Sequence, residues 1–207
     1  MTRVKICGLR RMEDVAAVNR YKPEYAGFVF APSKRRVTPE EAARMIAALD
    51  PAVLPVGVFA DAGPDEVARA VALCCLGAVQ LHGGEDAAYI ARLKAMLPEG
   101  TLVLKAVRVR DRATLERAAG LDCDLFVLDA WHPGRMGGTG ETFDWSLAEG
   151  FARPFLLAGG LDAGNIRKAI RDCRPLGIDV STGAETDGFK DEAKIAAIIE
   201  AVRRQII

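Results

Sequence analysis

The feature that most constrains this chain is the recurrence of eight short, apolar, β-rich runs separated by stretches with the period of a helix. The runs are RVKIC, YAGFVF, LPVGVF, AVQLH, LVLKAV, DLFVLD, PFLLAG and GIDVS, and each is near-continuously apolar, as strands covered on both faces must be. Between them, Ala42, Met45, Ile46 and Leu49 fall at i, i+3, i+4 and i+7; so do Val67, Ala70, Val71 and Cys74, and Ile166, Ala169, Ile170 and Cys173. Ile195, Ile198, Ile199 and Val202 carry the same pattern near the C-terminus. Thr38-Pro39-Glu40-Glu41 reads as a helix start, with an N-cap threonine, proline at the first helical position and a capping-box glutamate. Strand and helix in alternation imply parallel strands with right-handed crossovers. Eight such units in 207 residues favour a single closed (β/α)8 barrel spanning residues 1–207 over an open doubly wound sheet.

Composition excludes several classes. Half the residues are hydrophobic and 27% are charged, enough for a sizeable core. Lys plus Arg equals Asp plus Glu at 28 each, so there is no global basic field, and no nucleic-acid or membrane-surface partner is expected. The N-terminal MTRVKICGLRR passes directly into strand and helix pattern without a signal-peptide core, and no apolar run reaches the roughly 18 residues of a span. A cytoplasmic location is the expectation. The five cysteines, Cys7, Cys74, Cys75, Cys123 and Cys173, lack CxxC spacing and read as free thiols in a reducing compartment.

In a barrel of this kind the C-terminal ends of the strands build the site, so polar residues there are the informative ones. Lys5 and Cys7 share a face of the first strand, Gln80 and His82 share one on the fourth, Asp129 closes the sixth, and Asp179 and Ser181 end the eighth. Lys5, Lys105 and Asp179 read equally well as paired charges plugging the barrel. Cys7, with a lysine on its own face, is expected to have a stabilised thiolate suited to base or nucleophile work. Ala158-Gly159-Gly160-Leu161 and Ser181-Thr182-Gly183-Ala184 follow the last two strands and read together as a phosphate cradle. The loop WHPGRMGGTGETFDW is the longest and most glycine-rich segment, a length associated with function.

With VKICG, GFVFAPSKRRVTPEEA, VGVF, AVQLHG, VLDAWHPGRMGGTGETFDW, LAGGL and DVSTGAE in this order, the sequence resembles the phosphoribosylanthranilate isomerase family from Arg3 to about Ile207. The resemblance implies an Amadori rearrangement of a phosphorylated aminoaldose to an aminoketose, with Asp129 as general acid, Cys7 as general base and no metal or other cofactor. It implies that Gly159, Gly160, Ser181, Thr182 and Gly183 bind the phosphate and that Arg35 binds the anthranilate carboxylate. The stretch before that arginine is one residue shorter than the usual pattern and Arg36 follows at once, which leaves both arginines open. A monomer or a homodimer is equally compatible. A metal-dependent sugar-phosphate epimerase would need more ligands than His82 and His132 supply, and a related isomerase with two carboxylates would have no use for Cys7. A non-catalytic phosphate sensor on the same fold would have lost one of the rim catalysts.

Overall fold

The structure is a computed structural model that describes residues 1–130 and 145–204. His132 and nearly all of the long glycine-rich loop lie outside the described residues. Eight strands, β1 (Arg3–Cys7), β2 (Tyr25–Val29), β3 (Leu54–Phe59), β4 (Ala78–Leu81), β5 (Leu102–Val109), β6 (Leu125–Ala130), β7 (Phe155–Leu157) and β8 (Gly177–Val180), pair in sequence order into a closed parallel barrel. Each lies on one of the eight apolar runs. The ring closes through β1 and β8, where Lys5 stands opposite Asp179.

The α-helices among the described residues are α1 (Met12–Tyr21), α2 (Pro39–Ala47), α3 (Pro64–Cys74), α4 (Ala87–Met96), α5 (Arg112–Ala119), α6 (Ile166–Cys173) and α7 (Glu192–Arg203). The start of α2 forms as its sequence demands: the Thr38 hydroxyl accepts from Glu41 N–H at 3.2 Å, and the Glu41 carboxylate accepts from Thr38 N–H at 2.8 Å. Leu49 lies beyond the end of α2 yet still packs against the core.

Because side chains alternate along a strand, the barrel sorts its residues into two cores. Tyr25, Val56, Ala78, Leu104, Leu125 and Leu156 fill the interior, while Ile6, Phe28, Leu81, Phe126 and Ile178 face outward against the buried stripes of the helices. Phe28 and Phe126 are completely buried, each contributing roughly 1.5–3 kcal/mol by removal from water.

Two details depart from the regular alternation. Among the described residues, the β6–β7 crossover carries only the one-turn 3-10 helix Trp145–Ala148 where a full helix is expected. After β8, a 3-10 turn (Thr182–Ala184) leads into a small antiparallel hairpin, β9 (Glu185–Thr186) and β10 (Phe189–Lys190), before α7 begins. Its two-residue turn, Asp187-Gly188, has φ of 51° and 79°, the left-handed pair that suits a tight hairpin and that Asp-Gly supplies.

Candidate active site

The strand ends surround a cavity of about 330 Å3 lined by Cys7 of β1, Gln80 and His82 at the end of β4, Arg108 of β5, Asp129 of β6 and Asp179 of β8. Cys7 and Asp129 therefore open onto one space, with β7 and β8 between their strands.

Cys7 is 8% exposed and its thiol is free. Lys5, one turn of the pleat below, donates to Asp179 Oδ2 at 2.9 Å, and both charges are buried. Burial lowers the Lys5 ammonium's tendency to hold its proton, but Asp179 and Cys7 outweigh it, so Lys5 titrates above the ordinary lysine range. Burial also pushes the Cys7 thiol up, against the opposing pull of Lys5 and Lys190. The expected thiolate stabilisation is thus overturned for the free protein: Lys5 is already paired with Asp179, and desolvation of the sulfur wins. Gly27 lies across the β1–β2 ladder from Cys7. A Cβ there would stand 2.8 Å from the sulfur, so the strand must carry glycine for the thiol to keep its place.

Asp129 Oδ1 accepts from Ala130 N–H at 2.9 Å, and Oδ2 faces His82 Nε2 at 3.5 Å. The Gln80 side-chain amide lies 3.1 Å from His82 Nδ1 and holds the ring with Nε2 towards Asp129. Among the described residues, the buried atoms Gln80 Oε1 and Asp179 Oδ1 have no hydrogen-bond partner, and both side chains line the cavity. Arg108, opposite Asp129 in the ladder, donates to the His82 carbonyl at 3.3 Å. Lys105 has no place in this cavity. It lies on the outer face of β5 and is consumed by Glu85 at 2.7 Å and the Gly83 carbonyl at 2.7 Å, a structural plug.

Of the two candidate arginines, Arg35 turns inward, 7% exposed and on the cavity wall, while Arg36 is exposed and engages Val29 only through backbone. Arg35 is strongly anchored: Nε and Nη2 donate to Glu185 at 2.6 and 2.8 Å, and Nη2 donates to the Thr182 hydroxyl at 2.9 Å. Lys190 donates to the same Glu185 at 2.7 Å and to the Ser181 carbonyl at 3.0 Å. Burial pushes the Glu185 carboxyl up, but Arg35 and Lys190 together hold it at about 2. Burial pulls the Lys190 ammonium down, with Glu185 opposing.

The two proposed phosphate loops meet on the same wall. Gly159 and Gly160 have φ of 85° and 61°, a left-handed pair that lets two successive backbone units bend around a bound group. Gly183 packs so tightly that a Cβ would sit 2.0 Å from the Leu161 carbonyl. The Ser181 hydroxyl donates to the Cys7 carbonyl at 3.1 Å, tying the second loop to the thiol's strand. Cys7, Asp129, Arg35, Gly159, Gly160, Ser181, Thr182 and Gly183, all named from the sequence, line this cavity, whereas Lys5, Arg36 and Lys105 do not. Arg108, Glu185 and Lys190 were not among them. Arg108 is reachable by extending the alternation of Leu104 and Ala106 by one step. The Asp-Gly turn would have exposed the hairpin that carries the other two. Among the described residues, no three His, Cys, Asp or Glu side chains cluster as metal ligands would, and no helix is long and apolar enough to cross a membrane.

Comparison with known proteins bears on the chemistry. Residues 4–201 match the family model described as N-(5'phosphoribosyl)anthranilate (PRA) isomerase. The N-(5'-phosphoribosyl)anthranilate isomerase of Acetivibrio thermocellus is 46% identical over 210 residues, covering 98% of this chain and 96% of the relative. The crystal structure of phosphoribosyl anthranilate isomerase from Thermotoga maritima superposes with a TM-score of 0.88 at 36% identity, covering 99% of this chain and 100% of that one. A phosphoribosyl anthranilate isomerase crystallised with reduced 1-(o-carboxyphenylamino)-1-deoxyribulose 5-phosphate gives a TM-score of 0.85 at 35% identity with the same coverage. The chain is an enzyme of the N-(5'-phosphoribosyl)anthranilate isomerase family.

Proposed function

We propose that the chain converts N-(5-phospho-β-D-ribosyl)anthranilate to 1-(2-carboxyphenylamino)-1-deoxy-D-ribulose 5-phosphate, a step of tryptophan biosynthesis, by acid–base catalysis without a metal. The observation that carries this reading is the convergence of Cys7, Asp129, Arg35 and two glycine-bearing loops on one cavity. In the fold class, the loops after the seventh and eighth strands are where phosphate is held, and here the backbone N–H groups of the two glycine-bearing loops on the cavity wall are the donors that would hold it. Arg35 then reads the anthranilate carboxylate with its guanidinium fork.

With both ends fixed, Asp129 protonates the ring oxygen as the C1–O bond breaks and the anthranilate nitrogen's lone pair forms the C1=N bond of a Schiff base. The Cys7 thiolate takes the C2 proton, and the C2–H electron pair becomes the C1=C2 bond of an enolamine while the C1=N pair returns to nitrogen. Tautomerisation moves the hydroxyl proton from O2 off the enol and delivers a proton to C1, giving the ketone. The protonated Schiff base is the electron sink, so no Lewis acid is required by the chemistry. His82 orders the Asp129 carboxyl through Nε2, and Gln80 Oε1 and Asp179 Oδ1 are placed to accept from the sugar hydroxyls. Lys5 and Lys190 partly offset the burial that disfavours the thiolate.

Alkylation tests this assignment. A protein retaining Cys7 with the other four cysteines replaced should stay active and be inactivated by iodoacetamide, and the reduced product analogue should protect it. Exhaustive chelation should leave the rate unchanged. An active Cys7→Ala protein, or one silenced by the chelator, would overturn the mechanism.

A further inference from the structure

We propose that Lys190 is a positioning residue for carboxylate recognition: it neutralises Glu185, so that Glu185 can orient Arg35 without cancelling the charge Arg35 offers to the substrate. The inference rests on the reading of Arg35 as the carboxylate's partner. Glu185 grips the Nε–Nη2 edge of the guanidinium at 2.6 and 2.8 Å, and Thr182 takes a further hydrogen bond from Nη2. Nη1 makes no hydrogen bond among the described residues, and Arg35 lines the cavity, so that end is left for a ligand. The stem of the arginine is fixed as well. Gly8 has φ of 91°, and a Cβ there would stand 2.5 Å from Arg35 Cδ, so the side chain lies directly on the backbone that follows Cys7.

A bidentate carboxylate is a costly way to aim an arginine at an anion. On its own it would pair with the guanidinium and leave a neutral site. Lys190 reverses that outcome at Oε1, the oxygen that Arg35 Nε also engages, donating at 2.7 Å with its ammonium almost fully buried. Two cations and one anion leave one net positive charge on the cluster. Lys5 contributes nothing further, being balanced by Asp179. The hairpin exists at this point in the chain to bring Lys190 back beside Glu185, since the two residues face each other across β9 and β10.

The test measures a ratio of affinities. Reduced 1-(o-carboxyphenylamino)-1-deoxyribulose 5-phosphate and its counterpart lacking the carboxylate are titrated calorimetrically into the parent protein and three variants, each checked for folding by circular dichroism. The parent should prefer the carboxylated ligand by about tenfold or more, the scale of charge-assisted hydrogen bonds. Lys190→Met should reduce that preference below about threefold while the other ligand keeps its affinity. Lys190→Arg should retain the preference. The double variant Lys190→Met/Glu185→Gln, which again leaves Arg35 as the cluster's net positive charge, should regain it to within about threefold of the parent. A parent without preference would overturn the reading of Arg35 itself. A Lys190→Met protein that keeps the preference, equal losses for both ligands, loss in Lys190→Arg, or a double variant that fails to recover would overturn the role of Lys190 alone.

Discussion

Replacing Gly27 by alanine should disable the enzyme through a methyl group that touches no substrate. The added Cβ would lie 2.8 Å from Cys7 Sγ and 3.0 Å from Cys7 Cα, against ordinary carbon contacts of about 3.5–4.0 Å, so about 1 Å of space is missing. The backbone has little freedom to supply it. Cys7 and Gly27 are paired in the β1–β2 ladder, and the Gly27 carbonyl accepts from both Gly8 and Leu9 at 2.8 and 3.0 Å. The sulfur must therefore move. Overpacking of this kind costs about 1–3 kcal/mol of stability. A displacement of about 1 Å in a reacting group costs on the order of a hundredfold in rate. Following the loss of substrate fluorescence should show kcat lower by about two orders of magnitude with KM little changed, since the phosphate loops and Arg35 are untouched. Urea unfolding should confirm that the protein remains folded. A folded Gly27→Ala protein with kcat within about threefold of the parent would refute the placement of Cys7 as the base.

Asp129→Asn should lower kcat by at least about a hundredfold in the same assay with the fold intact, the scale of a lost general acid, and near-normal turnover would move the acid elsewhere. Gly183→Val, which drives a side chain into the Leu161 carbonyl 2.0 Å from the Cβ position, should chiefly raise KM and weaken competition by inorganic phosphate; an unchanged KM would remove these loops from phosphate binding. Glu185, held at about 2, supports the folded state above the ordinary glutamate range and loses that contribution as the pH falls through about 2. The stability gap between the parent and Glu185→Gln, measured by urea unfolding across a pH series, should therefore be greatest above about pH 5 and close towards pH 2; a gap that stays constant would show that Glu185 is not stabilised by its ionisation.

The barrel was legible because its signal is repeated. Eight apolar runs and the helix-period stripes between them each impose burial on one side, and parallel pairing leaves few ways to arrange them. The rim was legible for a related reason: polar residues such as Gln80 and Asp129 stand out at the ends of strands that are otherwise apolar. Charge was harder to read. Lys5 and Cys7 share a face, but the partner that absorbs the lysine, Asp179, is on the far end of the chain, so the thiol's true environment emerges only when the ring closes. Lys105 shows the same difficulty in reverse. Its place between Leu104 and Ala106 sets it on the opposite face from the cavity, where Glu85 meets it. The hairpin was missed because strands of two residues have no periodicity, although Asp187-Gly188 marked its turn.

The most direct measurement is turnover itself. Purified protein mixed with N-(5-phosphoribosyl)anthranilate should discharge the substrate's fluorescence at a rate proportional to enzyme, with 1-(2-carboxyphenylamino)-1-deoxyribulose 5-phosphate as the product by mass and chromatography. Cys7→Ala and Asp129→Asn proteins, folded by circular dichroism, should leave it near the uncatalysed rate. Fluorescence that decays no faster with the parent protein than without it, or equally fast with both variants, would contradict the account.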